Sequence, residues 1–240
     1  MQSLLDPAAP VVAEVAAKAA DLRQARFVVL DLRGNGGGSS LFGDQIAVSL
    51  LGSDYVASVI GSPDDDDCDD IWRVSDGNLR QLQYYIDVMG PTHGPEFIKI
   101  VGKQLAGAKA AQAQGRSFSG PIHCANKPQT PAAARAPSLL KGRLVLITDN
   151  LCFSSCLAVT DHLRQLGALH IGQTTDSNTH YSEVREEPLP SGLSKFSTLQ
   201  AVSPSSPLRF GPFIPALAYP GDIADTPALE HWVVSQLNSH

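Results

Sequence analysis

Residues 27–40, FVVLDLRGNGGGSS, decide how the rest of the chain is read. Residues 27–32 (FVVLDL) are a short apolar run rich in β-branched side chains, the composition of a strand covered on both faces in a parallel sheet. The run ends in RGNGGGSS, where consecutive glycines let the backbone take positive φ and leave N–H groups aimed at a common point. N-terminal to it, Val12, Val15, Ala16, Ala19 and Leu22 recur at threes and fours between Lys18, Asp21 and Arg23, which predicts an amphipathic helix over about 11–26. C-terminal to it, Ile46, Ala47, Leu50 and Leu51 predict the next helix over 43–51.

The same grammar returns after residue 140. Residues 144–147 (LVLI) read as a second buried strand, followed by TDNLCF and then SSCLAVTDHLRQLG, where Leu157, Ala158, Leu163 and Leu166 form a helical stripe and Gly167 a C-terminal stop. A third run, 168–171 (ALHI), ends in Gly172. YSEVRE (181–186) then reads as a strand and LPSG (189–192) as a turn. In TPALEHWVVSQL, Thr226 is the N-cap, Pro227 the first helical residue, and Leu229, Trp232, Val233 and Leu237 face inward. Two strand, glycine-turn, helix units in one chain predict an α/β layered fold with its site at the carboxyl ends of the strands. Between them, residues 53–140 hold SPDDDDCDD, helical stretches over 79–89 and 96–114, and the tract KPQTPAAARAP, which cannot hold a regular element. They read as an insertion or lid within one core domain spanning 1–240.

Composition bounds the function. The chain has 240 residues, 43% hydrophobic and 18% charged, enough apolar surface for one large core and too much for a disordered chain. Its 20 glycines and 17 prolines predict a loop-rich globule. A net charge of −6 gives no electrostatic footprint for nucleic acid or an anionic membrane. No apolar run is long enough for a membrane span, and MQSLLDPAAP has neither the basic nor the apolar region of a signal peptide.

Two places can carry chemistry. The glycine turn at 34–38 is an anion or oxyanion nest. It lacks the third glycine of a dinucleotide fingerprint, and there is no GK[ST] for a phosphate loop. Ser154 and Ser155 follow a strand and open a helix, where free N–H groups and the helix dipole favour negative charge on a bound oxygen. That is where an acyl-transfer nucleophile belongs, although a serine there is also an ordinary N-cap. The pairing of this serine with the upstream glycine turn separates the two readings.

DLRGNGGGSS together with CFSSCLAVTDHL and GALHIGQTT resembles the two signature blocks of the tail-specific, or carboxy-terminal processing, serine peptidases and their tricorn-like relatives. The resemblance covers about 27–52 and 142–175, with a weaker match through YSEVREEPLPSG and GDIADTPALEHWV. It implies a crotonase-like core, a nucleophile at Ser154, oxyanion donors at the backbone N–H of Ser155 and of Gly37 with Gly36 as its neighbour, no cofactor, a protein or peptide substrate, and a periplasmic or secreted location. The processing branch takes its base from a lysine downstream of the serine. Here that window holds Asn178, Thr179 and His180, with no lysine from Gly172 to Ser194. The tricorn-like branch takes a histidine from upstream, and the 26 residues before the first strand contain none. Two expectations follow: the chain is a C-terminal portion of a longer precursor or an excised domain, or another group acts.

Within the chain the base candidate is His180 with Glu183 as its orienting carboxylate, since imidazole is the commonest general base near neutral pH. Their spacing of three puts them on opposite faces of a strand. His162 falls on the outside of the serine helix or against the sheet, and His93 and His123 lie in the insertion. Cys152 and Cys156 bracket Ser154; no zinc spacing is evident, and they read as two small buried apolar side chains rather than a local disulfide. Cys68 and Cys124 could pair in an oxidising compartment. The acidic run from Asp64 to Asp70 lacks EF-hand spacing and reads as a solvated loop rather than a calcium site. The reading is a serine endopeptidase acting through an acyl-enzyme. The alternatives are a catalytically inactive peptide-binding module of the same fold and a crotonase-type acyl-thioester enzyme.

Overall fold

The computed structural model of the chain describes residues 1, 8–61, 71–120, 135–177, 181–202 and 212–239. In chain order the elements begin with α1 (Ala9–Ala17), α2 (Ala19–Leu22), β1 (Phe27–Asp31), α3 (Leu41–Leu51) and α4 (Ser53–Ile60). β2 (Ile71–Trp72), α5 (Asp76–Tyr84), a π-helical turn (Tyr85–Met89), α6 (Gly90–His93) and α7 (Pro95–Ala113) follow. The chain continues through β3 (Arg143–Thr148), α8 (Ser155–Gln165), β4 (Leu169–Gly172), β5 (Tyr181–Pro188), β6 (Lys195–Val202), β7 (Leu217–Ala218) and α9 (Thr226–Ser239).

These elements fall into two compact units. The first takes Met1–Pro63, Gln129–Asn178 and Leu208–His240. Its sheet has the order β1-β3-β4-β7, and every pairing in it is parallel, Leu30 lying opposite Leu146 and Ile147 opposite Ile171. A parallel sheet needs cover on both faces. On one face Ile46, Leu50, Leu157, Val159 and Leu163 of α3 and α8 close over Leu144 and Leu146. On the other, Leu229, Val233 and Leu237 of α9 close over Val145, Ile147 and Ile171, so the apolar stripe expected of TPALEHWVVSQL is the one buried. β3 is the central strand that both layers share, and its residues from Leu144 to Thr148 are all buried.

Both strand, turn, helix units are present, the second turning through residues 149–154 without a glycine, which makes the first unit a mixed α/β structure with a parallel sheet. Two expectations change. β1 is an edge strand of the described sheet, and Val29 is 45% exposed because α9 centres on β3 and β4 rather than on β1. The helix expected over 11–26 breaks at Lys18, whose φ of −96° and ψ of 6° leave the helical region and separate α1 from α2.

Gly43 sets how closely α3 and α8 approach. A Cβ built there would lie 2.4 Å from Val159 Cγ2, and a β-branched side chain in a helix has few rotamers with which to give way. Gly43→Ala is therefore expected to lower stability by about 1–2 kcal/mol in urea unfolding, although alanine is the better helix former. A variant as stable as the parent would mean that the two helices part freely.

The second unit takes Asp64–Pro128 and Thr179–Pro207, so it joins most of the expected insertion to a later hairpin. Its antiparallel sheet has the order β2-β6-β5 and packs Trp72 and Ala201 against Leu82, Val101, Leu105 and Ala108 of α5 and α7. The turn expected at LPSG joins β5 to β6 and is closed by Leu189 N–H donating to Ser194 O at 2.8 Å. Ser75 caps α5 by accepting from Asn78 N–H at 3.2 Å. Among the described residues no helix is long and apolar enough to cross a membrane.

Candidate active site

The site assembles at the carboxyl ends of β1 and β3. Leaving β1, Arg33 forks across both oxygens of Asp31 at 2.9–3.0 Å from Nε and 2.6 Å from Nη2. It also donates to Ile223 O at 2.6 Å and Thr226 Oγ1 at 3.1 Å, which fixes the entry of the glycine turn against the start of α9. Burial pushes the Asp31 carboxyl up, yet the hydrogen bonds and charge of Arg33 outweigh it and hold the carboxyl below its ordinary value. The turn itself uses Gly34, Gly37 and Gly38 at φ of 70°, 110° and 132°, where only glycine is unstrained. Gly36 is not in that region, and a side chain there would meet nothing within 4 Å.

Leaving β3, Asp149 ties the serine loop to the glycine turn. Its Oδ2 accepts from Gly34 N–H at 2.8 Å and its Oδ1 from Leu151 N–H at 3.0 Å. Phe153 N–H donates to Asn35 O at 3.2 Å, and Ser155 Oγ–H to Gly38 O at 2.6 Å. Asn35 is fully buried, and its Oδ1 accepts from Gly37 N–H at 2.9 Å. These cross-links bring Gly37 against Ser154 so closely that a Cβ on Gly37 would sit 2.8 Å from Ser154 Cβ and 3.2 Å from Ser154 Oγ.

Ser154 is the N-cap of α8 with φ 55° and ψ −128°, a conformation L-residues rarely adopt and one that persists only where its surroundings dictate it. It is exposed, its side chain caps no backbone N–H, and its Oγ makes no hydrogen bond with any described residue. A serine that merely caps a helix has extended backbone and bonds its own first turn. Ser155 is the first helical residue, so its N–H lies at the positive end of α8. Cys152 and Cys156, expected as separate apolar side chains, instead form a disulfide across this turn with 5.3 Å between Cα atoms. Both are fully buried, and the tight turn at Ser154 brings the two residues into bonding range.

Beneath the loop, Thr148 Oγ1 lies 2.7 Å from His170 Nε2 and 2.8 Å from Gln173 O. The carbonyl can only accept, so the hydroxyl donates to it and receives the Nε2–H, which leaves Nδ1 of His170 unprotonated. That atom is buried and has no partner among the described residues. Burial above all, with the nearby Arg164 charge, pushes the imidazole down to about 4.

The structure thus gathers Gly37, Ser154 and Ser155, with Gly36 beside them in the turn. His180 and His123 lie outside the described residues, as do Cys68, Cys124 and the acidic run from Asp64 to Asp70. Glu183 belongs to the second unit, in β5, exposed and at φ 58°. His162 reaches back to α3, its Nδ1 2.8 Å from Asp44 Oδ1. Among the described residues no group of three or more His, Cys, Asp or Glu side chains is placed to hold a metal ion. Asn35 and Asp149, which tie the glycine turn to the serine loop, are the residues of the candidate site that the sequence reading passed over. Both stand inside the quoted motifs, Asn35 between two glycines and Asp149 in the turn after β3, and a short polar side chain in such a turn is the signal.

The sequence matches peptidase family S41 over residues 6–205. The chain belongs to that family. No curated protein matches it. Among solved structures it is similar to mature CPAF, at 12% identity and a TM-score of 0.48, over 96% of this chain and 47% of that one. It is also similar to the photosystem II D1 C-terminal processing protease, at 11% identity and a TM-score of 0.38, over 91% and 41%. A lipoprotein from Streptococcus agalactiae matches at 12% identity and a TM-score of 0.36, over 94% and 62%. The chain spans about half the length of the CPAF chain.

Proposed function

We propose that this S41 family member is a serine peptidase that hydrolyses peptide bonds through an acyl-enzyme on Ser154, within a crotonase-like core of which residues 53–140 are an insertion. The observation that carries the reading is the left-handed backbone of Ser154, packed on Gly37 at the head of α8 with its hydroxyl unclaimed. Ser154 Oγ attacks the substrate carbonyl carbon as its proton passes to a base, and the carbonyl oxygen takes up the negative charge. Ser155 N–H and Gly37 N–H receive that oxygen. Gly37 N–H is held by the neutral Asn35 Oδ1, and an oxyanion is the stronger acceptor, so the donor turns to the substrate as charge develops. Collapse expels the amine, which takes the proton from the base, and water then releases the acyl group from Ser154. His180, oriented by Glu183, is the base in this reading. No cofactor enters. The substrate is a protein or peptide, and the Cys152–Cys156 disulfide supports a periplasmic or secreted site, where such bonds persist.

A peptide-binding module without catalysis is the second reading, favoured by the Gly37 N–H already satisfied by Asn35 Oδ1. A thioester enzyme would use the glycine turn alone and gives no reason for the conformation of Ser154. Intact-mass analysis after treatment with a fluorophosphonate separates these readings. The expected result is one adduct, lost in Ser154→Ala and kept in Ser155→Ala. A folded chain that takes no adduct would sink the acyl-enzyme reading for this chain and leave the binding module or a fragment lacking its base in front.

A further inference from the structure

We propose that the Cys152–Cys156 disulfide positions Ser154, and that reducing it disarms the serine while the fold survives; this rests on the assignment of Ser154 as nucleophile. The two cysteines stand two residues before and two after the serine, and the bond closes a ring containing only Phe153, Ser154 and Ser155 between them. Both anchors are buried and tied into the backbone network. Cys152 and Cys156 are fully buried in the cluster formed by Leu157, Val159 and Leu163, Cys152 N–H donates to Asp149 O, and Cys152 O accepts from Asp176 N–H.

Besides the ring, the turn is held through the serine's neighbours, Phe153 N–H donating to Asn35 O at 3.2 Å and Ser155 Oγ–H to Gly38 O at 2.6 Å, and less through the serine itself. Its carbonyl accepts the first helical bond from Leu157 N–H at 2.8 Å, and its side chain packs on Gly37 without a hydrogen bond. A residue at positive φ without glycine's freedom relaxes unless it is over-determined, and the short covalent ring is the constraint that does this. With the ring opened, the helix start can move to extended backbone with Ser154 as an ordinary N-cap, its Oγ bonded to the first turn and no longer exposed for attack. The core beneath is built from β3, α3 and α8, where Leu144, Leu146, Ile46, Leu50, Leu157 and Leu163 pack on one another beside the two cysteines. Reduction is a two-electron exchange with an external dithiol: the S–S bond breaks, each cysteine sulfur ends as a thiol, and the dithiol closes to its own disulfide.

The test compares the full chain oxidised, treated with dithiothreitol, and as Cys152→Ala/Cys156→Ala with and without dithiothreitol. Three quantities are read: the rate of fluorophosphonate addition at Ser154, amide exchange over residues 149–157, and far-UV circular dichroism. The expected result is faster exchange confined to 149–157 and a labelling rate lower by about tenfold or more, with the dichroism unchanged. The double variant should match the reduced chain and ignore dithiothreitol, and reoxidation should restore the parent rate. Exchange over 149–157 that is the same in both redox states overturns the inference whatever the labelling does, and so does loss of the dichroism on reduction. An oxidised chain that never labels, yet loosens at 149–157 on reduction, would sink the assignment of Ser154 and leave the positioning of the turn standing.

Discussion

Gly37→Ala is expected to leave the chain folded and to slow acylation of Ser154 by about 10²–10³-fold, the effect of losing one oxyanion donor. Two faults combine at this residue. The backbone has φ 110°, which alanine adopts only with strain of about 1–3 kcal/mol. The new methyl would lie 2.8 Å from Ser154 Cβ and 3.1 Å from Phe153 O, so either the glycine turn or the serine loop must move. Whichever moves, the Gly37 N–H and the Ser154 hydroxyl no longer face one carbonyl. Gly36→Ala is the matched control, since that residue is not at positive φ and a methyl there meets no atom within 4 Å. The rate of fluorophosphonate addition, followed by intact mass, should fall steeply in Gly37→Ala and stay near the parent in Gly36→Ala. Equal rates in Gly37→Ala and the parent would remove Gly37 from the site.

The layered fold was legible because two physical signals coincide in it. Apolar β-branched runs at 27–32 and 144–147 end in glycine or polar turns, and the helices that follow carry a stripe at threes and fours, so strand, turn and helix mark one another's limits. The strands that escaped notice are β2 and β7, two residues each and too short to show a period, and β6, whose KFSTLQAV leaves its burial to partners distant in sequence. α4 escaped because Gly52, at φ 94°, turns the chain and α4 begins at the next residue, without the polar side-chain cap that marks a helix start.

The site was legible in its backbone and not in its supports. Glycines after a strand and serines opening a helix announce themselves by residue type, and they do come together. The disulfide was missed because a spacing of four suits two cysteines on a helix face equally well, and only the turn at Ser154 brings Cys152 back within 5.3 Å of Cys156. The roles of Asn35 and Asp149 depend on contacts across more than one hundred residues of chain, as from Gly34 N–H to Asp149 Oδ2, which no local pattern encodes.

Acid should weaken this protein through His170 before it does so through Asp31. The imidazole titrates near its ordinary value of 6.5 in the unfolded chain and is pushed down to about 4 in the fold, by burial first and by the Arg164 charge second. Between those values the unfolded state binds more protons than the folded one, so stability falls as pH falls. The His170 contribution is complete above pH 6.5, declines through the interval, and is gone below about pH 4, a loss of about 3 kcal/mol. Asp31 acts lower on the scale. Its carboxyl is depressed from 3.8, so what it contributes is present above that value and is lost only as pH falls beneath it. The two windows therefore separate. Urea unfolding of the parent and of His170→Gln from pH 7 to pH 4 reads the difference, because the slope in the interval isolates the imidazole whatever the glutamine costs in absolute stability. The parent should lose about 3 kcal/mol more than the variant over that range. Parallel curves would mean that the His170 ring takes up its proton as readily in the fold as in water.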